Sequence, residues 1–482
     1  MAKLIVTNRK ITLEDVGRKA LRRVEAVTAY KVAGYFWSPA YRAHVWDGKE
    51  HLLNFSTKSG YTAPSGLLED VKAAIESGER VKVVDKTIVR NERRELLWNH
   101  DIVMRDYQER AVEAFLANDG RGVIKMPTRS GKTKTAARLI WRLGLPALFV
   151  VPSKLLLHQT VRELKNALPD AEVGMLGDGI QDLQFITVAT IQTLSRLRGR
   201  RGTPGKTGVK SDPLYKQIAE TFDVLVADEA HHVRGEGEWY HSLYELDARY
   251  RCGLSATAFP DLTSEAEKGI IWLKGICGPI VIDISVSELV ARGFLMQQNV
   301  RMYRITRPDL RGKRWSNELR ARGITQNVHR NKIAVQLARR HIEAGRKVLI
   351  VADRLDHIAA LAELCDAMGV DHRVITGRDS QSERESKIDG FTAGEYGLLI
   401  GTVLREGVDI PSMEVVINVE GGQDLKNTIQ RQRNLTLSEG KKEAILVDFM
   451  DETNEYFKKH SKARLKAYRS ESAFTVKLVN VR

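Results

Sequence analysis

Gly122-Val123-Ile124-Lys125-Met126-Pro127-Thr128-Arg129-Ser130-Gly131-Lys132-Thr133 is the stretch on which the fold turns. Its apolar part, Gly122–Met126, reads as a buried strand, and Lys132–Leu143 continues with helical spacing. Strand, glycine-bearing loop and helix, in that order, are the setting of a phosphate-binding loop. Backbone N–H groups at a helix N-terminus face an anion there. Thr128, Arg129, Ser130 and Gly131 would form the cradle, Lys132 would neutralise the β and γ oxygens of ATP, and the Thr133 hydroxyl would ligate Mg²⁺. Met126 stands where the usual pattern has its first glycine, so the match is partial. Read alone, the segment is also compatible with an ordinary strand–turn–helix.

A second stretch, Val224-Leu225-Val226-Ala227-Asp228-Glu229-Ala230-His231, is a four-residue apolar strand with two carboxylates at its C-terminal end. In doubly wound sheets ligands bind at that end. Asp228 is placed to hold Mg²⁺, and Glu229 to orient and deprotonate a water. The plain alternative is two acids capping the next helix. Outward from these stretches, short β-branched runs alternate with helical patterns. Further strands are expected at Ala147–Val151, Phe185–Ala189 and Arg251–Leu254. A second set follows at Lys347–Val351, Arg373–Ile375, Gly397–Ile400, Val415–Val419 and Ala444–Val447. The fold class is therefore α/β, with two parallel-sheet domains behind a small N-terminal α+β domain.

Composition sets bounds on this reading. The 482 residues are 43% hydrophobic and 28% charged, which excludes a disordered chain. No apolar run approaches the ~20 residues that cross a bilayer, and Met1–Thr12 has no signal-peptide core. Only three cysteines occur, with no paired motif, so a reducing cytoplasm is the expected location. A formal net charge of +15 favours a polyanionic partner, nucleic acid before membrane, although a solvated basic surface would read the same.

With these motifs in order, the chain resembles the superfamily 2 helicases and translocases of D-E-A-H type over roughly residues 100–450. Arg105-Asp106-Tyr107-Gln108 is similar to the adenine-reading Q motif, with Arg105 to stack and Gln108 to bond the base edge. Pro152-Ser153-Lys154 resembles motif Ia, and Thr190-Ile191-Gln192-Thr193 the next strand-contacting motif. The resemblance gives Pro152, Ser153, Lys154, Thr190, Gln192 and Thr193 to nucleic acid, with Thr376, Gly377 and Thr402 from the second α/β region. Ser255-Ala256-Thr257, with His231, would couple nucleotide state to grip. Gly401–Pro411 resembles motif V and brings Gly407 and Asp409 to the nucleotide. Gln430-Arg431-Gln432-Arg433 falls where motif VI belongs. The usual glycine of that motif is absent, so Arg433 or Arg431 would be the finger, with Gln430 beside them. Such a finger supplies ~10³–10⁵ in rate in related hydrolases; without it the chain would be a clamp with weak turnover.

Five regions are expected: an N-terminal domain over 1–95, a RecA-like ATP-binding domain over 96–295, a basic connection over 296–335, a second RecA-like domain over 336–450 and a basic extension over 451–482. In the first, Thr12–Lys31 reads as a helix with Leu13, Val16, Ala20, Val24 and Val27 inward, and Asp47-Gly48 as a hairpin turn. The W-D-G-K segment at Trp46–Lys49, with the helix at Ser65–Ser77, resembles the N-terminal domain of UvsW-type phage helicases, nearest those of T5-like phages. That resemblance implies a monomer acting on forks, Holliday junctions and RNA–DNA hybrids, away from membranes. Trp37, Tyr41 and Trp46 are either base-stacking or the core of the small domain. Arg198, Arg200 and Arg201 lie in a basic loop, Arg196–Lys210, that either enters a junction or is merely solvated. Phe457–Arg469 is either a helix on DNA or a helix packed on the second domain. An RNA helicase and a restriction-system motor are the competing enzyme readings.

Overall fold

The computed structural model describes residues 1–32, 34–127, 129–199, 210–256, 264–402, 413–422, 444–470 and 474–481. The chain forms two compact units, 1–127 with 131–284, and 285–482 with 128–130.

The first unit opens with a five-stranded sheet ordered Asn54–Ser56, Gly60–Pro64, Lys10–Glu14, Ala2–Val6, Val81–Asp85. The expected long helix over Thr12–Lys31 is shorter, Arg18–Val27. Ile11 and Leu13 alternate inward on a strand that pairs with Ala2–Val6, so their apolarity serves period two rather than 3.6. Ala20 and Val24 are buried, but Val27 is 41% exposed. Gly48, at φ +78°, supplies the left-handed residue expected of Asp47-Gly48. It closes a long connection, however, because Lys49–His51 pairs with Ala29–Lys31. Phe36 and Trp37, half or more exposed on that connection, are not core; the Arg42 guanidinium sits over the Trp37 ring at 5.6 Å.

The same unit contains an eight-stranded sheet. Its order is Ile180–Gln181, Val173–Gly177, Ile186–Thr190, Ala147–Val151, Val224–Ala227, Tyr250–Ser255, Arg121–Lys125, Ile280–Asp283. All neighbours are parallel except the first pair. The central strands are buried on both faces, which is why they read as continuous apolar runs. The N-terminal domain is docked on this sheet. Asn8 Nδ2 donates to the carbonyls of Ile88 and Asp247 at 2.9 Å, Trp272 Nε1 donates to the Tyr30 hydroxyl at 3.1 Å, and Lys274 pairs with Asp70 at 2.6 Å.

The second unit is a seven-stranded, wholly parallel sheet ordered Arg373–Ile375, Leu398–Gly401, Val348–Val351, Val415–Asn418, Ala444–Asp451, Gln298–Ile305, Phe474–Asn480. One sequence reading is corrected, and one left open between two alternatives is decided. Gln298–Ile305, read as connection, is a strand inside this sheet, because alternate residues Gln298, Val300 and Met302 are buried, with Ile305 at its end, while Arg301 and Arg304 are not. The basic helix Glu455–Ser470 is packed on the sheet: Phe457, Arg464 and Tyr468 are buried, Arg464 pairing with Asp448 at 2.9 Å. No helix among the described residues is long and apolar enough to cross a membrane.

Candidate nucleotide and nucleic-acid site

In a parallel sheet, loops at the carboxyl ends of adjacent strands converge on one edge. In the first unit five motif segments follow the ends of five neighbouring strands. Thr190 ends Ile186–Thr190, Pro152 follows Ala147–Val151, Asp228 follows Val224–Ala227, Ser255 ends Tyr250–Ser255, and Met126 follows Arg121–Lys125.

The phosphate-type loop shows the backbone its chemistry needs. Arg129 and Gly131 take left-handed φ of +63° and +82°, Ser130 is buried, and helix Lys132–Leu143 starts directly after. Lys132 Nζ donates to Glu229 Oε1 at 3.1 Å, both side chains being largely buried. Gln108 is buried, and its carboxamide oxygen accepts the Arg105 N–H at 2.9 Å. A Cβ built on Gly131 would overlap the Gln108 amide nitrogen, so the two segments abut. Arg105 Nη1 also donates to the Tyr107 hydroxyl at 3.0 Å.

The acid pair is electrostatically split. Burial pushes the Asp228 carboxyl up to about 6, with the Lys132 ammonium opposing the rise and Glu229 adding to it. Burial also works against the Glu229 charge, but Lys132 and His231 outweigh it and hold that carboxyl below the usual range. Glu229 sits at φ +48°, a backbone state that costs a non-glycine residue ~1 kcal/mol or more. His231 Nδ1 lies 3.2 Å from both Ser255 Oγ and Glu229 Oε2, and Met126 N donates to Ser255 O at 2.9 Å. Ala256 is buried beside them.

The donor set fits a nucleotide with a hard cation. Thr133 lies in the first helical turn, and Asp228 is a buried carboxylate at a strand end. No cluster of three or more His, Cys, Asp or Glu that could hold a metal occurs among the described residues. Mg²⁺ characteristically takes one or two carboxylates and completes its shell with phosphate and water.

Farther along the same edge, Ser153 caps helix Lys154–Ala167, accepting Leu156 N at 3.4 Å. Gln192 Nε2 donates to Pro152 O at 2.9 Å, and the Thr190 and Thr193 hydroxyls are 2.9 Å apart. Lys154 is 72% exposed and pairs with Asp178 at 2.7 Å. Arg198 does not project as a basic-loop residue: it is 11% exposed and faces Glu245 at 3.4 Å. In the second unit Thr376 and Gly377 follow Arg373–Ile375, and Thr402 follows the adjacent strand Leu398–Gly401. Thr376 N donates to Asp379 Oδ2 at 2.6 Å. Thr128, Arg200, Arg201, Thr257, Gly407, Asp409, Gln430, Arg431 and Arg433 lie outside the described residues.

Sequence reading passed over Asp178 and His158, which meet at 3.0 Å beside Lys154. The signal available was the turn Gly177-Asp178-Gly179.

Residues 101–259 match the family described as type III restriction enzyme, res subunit, and residues 329–433 the family described as helicase conserved C-terminal domain. The chain carries the paired helicase domains of superfamily 2. That pair implies ATP use and makes the chain an ATP-dependent helicase. A DNA 3'-5' translocase XPB2 of Sulfurisphaera tokodaii is 29% identical over 389 residues, 72% of this chain and 82% of the relative. A DNA 3'-5' helicase XPB of Kineococcus radiotolerans is 25% identical over 66% of this chain, which spans about half of that relative's length, 54%. Among solved structures, S. cerevisiae Dbp5 bound to RNA and ADP BeF3 is alike in fold, with TM-score 0.54 and 16% identity over 78% of this chain and 89% of that one. T4 UvsW aligns over 99% of both chains at 17% identity and TM-score 0.45.

Proposed function

We propose that this helicase is a DNA translocase with 3′–5′ polarity that drives branch migration at forks and four-way junctions. The observation that carries the reading is the shared edge of the first sheet. Lys132, Asp228 and Glu229 occupy the strand ends on one side, and Ser153, Lys154, Thr190 and Thr193 those on the other. His231 links the acid loop to Ser255, a path by which nucleotide state reaches grip. The names of the XPB relatives support DNA and polarity. The UvsW-like W-D-G-K segment, and the exposed Phe36 and Trp37 of the docked N-terminal domain, support branched substrates.

ATP would take Lys132 from Glu229, leaving that carboxylate more basic and free to accept a proton from water. Mg²⁺, held through Asp228 and Thr133, would supply charge for the departing phosphate. Arg433 or Arg431, with Gln430, would act as finger, and Gly407 and Asp409 would complete the nucleotide contacts. Phosphate contacts carry no base code, so DNA affinity should fall steeply with salt.

The test is ATP hydrolysis and strand movement on forks, four-way junctions, R-loops and linear duplexes. Lys132→Ala should abolish hydrolysis and spare DNA binding. Normal hydrolysis by that variant refutes the nucleotide assignment. Equal action on linear duplex and junction refutes the branched-DNA reading alone.

A further inference from the structure

We infer that Asp178 is an internal competitor for the DNA backbone. It holds two side chains that would otherwise meet phosphate, Lys154 and His158, and His158 is thereby a further strand-contacting residue. The inference rests on the strand-contact reading of Lys154 given above.

The geometry is built rather than incidental. Lys154 and His158 are one turn apart at the start of helix Lys154–Ala167, so their side chains share a face. One carboxylate takes both: Lys154 Nζ lies 2.7 Å from Asp178 Oδ1, and His158 Nε2 lies 3.0 Å from Oδ2. Those two contacts hold the Asp178 carboxyl below its usual range. The acid stands at the tip of the hairpin joining Val173–Gly177 to Ile180–Gln181, at φ +53° between Gly177 and Gly179. The tip is pressed onto the strand-contact edge. A Cβ on Gly177 would stand 3.0 Å from both Thr190 Oγ1 and Leu157 Cδ2. The hairpin tip thus sits beside the threonine of one motif, and its carboxylate pairs with the lysine of the other.

A phosphate approaching Lys154 must displace Asp178 or bear its repulsion. Exposed ion pairs are weak, so the competitor lowers affinity without abolishing it. It also subtracts about one from the effective number of phosphates neutralised, and so flattens the salt dependence. Weak binding of unintended strands is what such an acid would suppress.

The experiment titrates the full-length protein with a fluorescein-labelled oligo-dT strand and with a fork, at several salt concentrations. Asp178→Asn is the variant, since asparagine accepts the left-handed backbone that this position requires. It should bind about 5- to 10-fold tighter at low salt, with a log–log salt slope steeper by roughly 0.7 to 0.9. His158→Gln should weaken binding several-fold. Asp182→Asn, which removes an acid elsewhere on the hairpin, should change affinity less than twofold. A damaged hairpin would lose affinity, so a gain separates competition from a structural role. If Lys154→Ala weakens binding but Asp178→Asn does not strengthen it, the inference is overturned and the strand-contact reading stands. If Lys154→Ala leaves binding unchanged, that reading fails and the inference with it.

Discussion

Gly131→Ala tests the nucleotide loop at the point where geometry is least forgiving. Alanine at φ +82° costs ~1–2 kcal/mol relative to glycine. Its Cβ would also overlap the Gln108 amide nitrogen. Gln108 cannot simply swing away, because its oxygen accepts the Arg105 N–H at 2.9 Å in the cap of helix Asp106–Ala117. Losing that bond costs a further ~1 kcal/mol. If the loop shape is what ATP selects, the penalty of ~2–3 kcal/mol reduces apparent affinity roughly 30- to 150-fold. Equilibrium titration with a fluorescent ATP analogue measures it. Adding Gln108→Ala removes the overlap but not the backbone strain. A double-mutant cycle should therefore show coupling of ~1 kcal/mol in the relieving direction. Wild-type affinity in Gly131→Ala, or a strictly additive cycle, would show that the loop and Gln108 do not act as one nucleotide-shaped unit.

Three further outcomes are expected. Glu229→Gln should keep ATP binding and lower turnover by ~10²–10⁴; phosphate release above a tenth of wild type would remove Glu229 from the base role. His357 is fully buried 3.1 Å from Asn331 Oδ1, and burial, reinforced by the nearby Arg330 charge, pushes its imidazole down to about 3. It stays neutral in the fold while the unfolded chain takes up a proton near pH ~6.5, so stability is lost as pH falls from there, by ~1.4 kcal/mol per unit. Between pH 7 and 5 the wild type should lose ~2 kcal/mol more than His357→Gln in denaturant titrations. Gly66→Ala should loosen the N-terminal domain, since its Cβ would overlap the Lys274 carbonyl and stand 2.8 Å from that of Gly275; faster hydrogen exchange over 1–85 without change over 147–151 is the readout.

Much of the architecture was legible because buried parallel strands are apolar throughout. Ala147–Val151 and Val224–Ala227 form strands with the boundaries that their composition indicates. What escaped was half-exposed or charged. Gln298–Ile305 alternates Arg with buried Val and Met, so it reads as a basic connection although it pairs with two strands. Arg330 and Arg464 sit in basic tracts that suggest a solvated face, yet both are fully buried. Arg330 Nε bonds Asp451 at 2.8 Å and Arg464 Nε bonds Asp448 at 2.9 Å. A charge pattern shows which residues repel or attract, but not which will meet a buried partner acid, whether 16 residues away as for Arg464 or 121 as for Arg330. In the candidate site, the strand–loop–helix around Gly131 and the acid pair at the end of Val224–Ala227 were legible because glycine and carboxylate positions are set by local backbone. The Asp178 contacts were not, since they depend on how a hairpin folds over a helix.

The docked N-terminal domain bears on how branched DNA would be held. A linked domain moves freely only when few contacts cross to its neighbour. Here one continuous apolar cluster runs from Leu4, Ile11 and Val71 into Trp272, Leu273 and Ile276 of helix Ser264–Cys277. Tyr240 packs edge-on to Trp272 at 4.4 Å, and Cys277 Sγ would stand 3.3 Å from a Cβ on Gly253 of the sheet. Polar contacts tie the same face: Arg121 of the sheet's own strand donates to Ser65 Oγ at 2.7 Å and to the Asn8 carbonyl. Separating these surfaces would expose the cluster and orphan the arginine, a cost of several kcal/mol. At that cost the separated form is a small minority of the population. The N-terminal sheet is therefore held against the first sheet, and the connection bearing Phe36 and Trp37 is tied to it where Lys49–His51 pairs with Ala29–Lys31. In the proposed reading, a junction bound by this domain is carried with the first sheet, and movement along DNA comes from elsewhere in the cycle than a swing of the N-terminal domain.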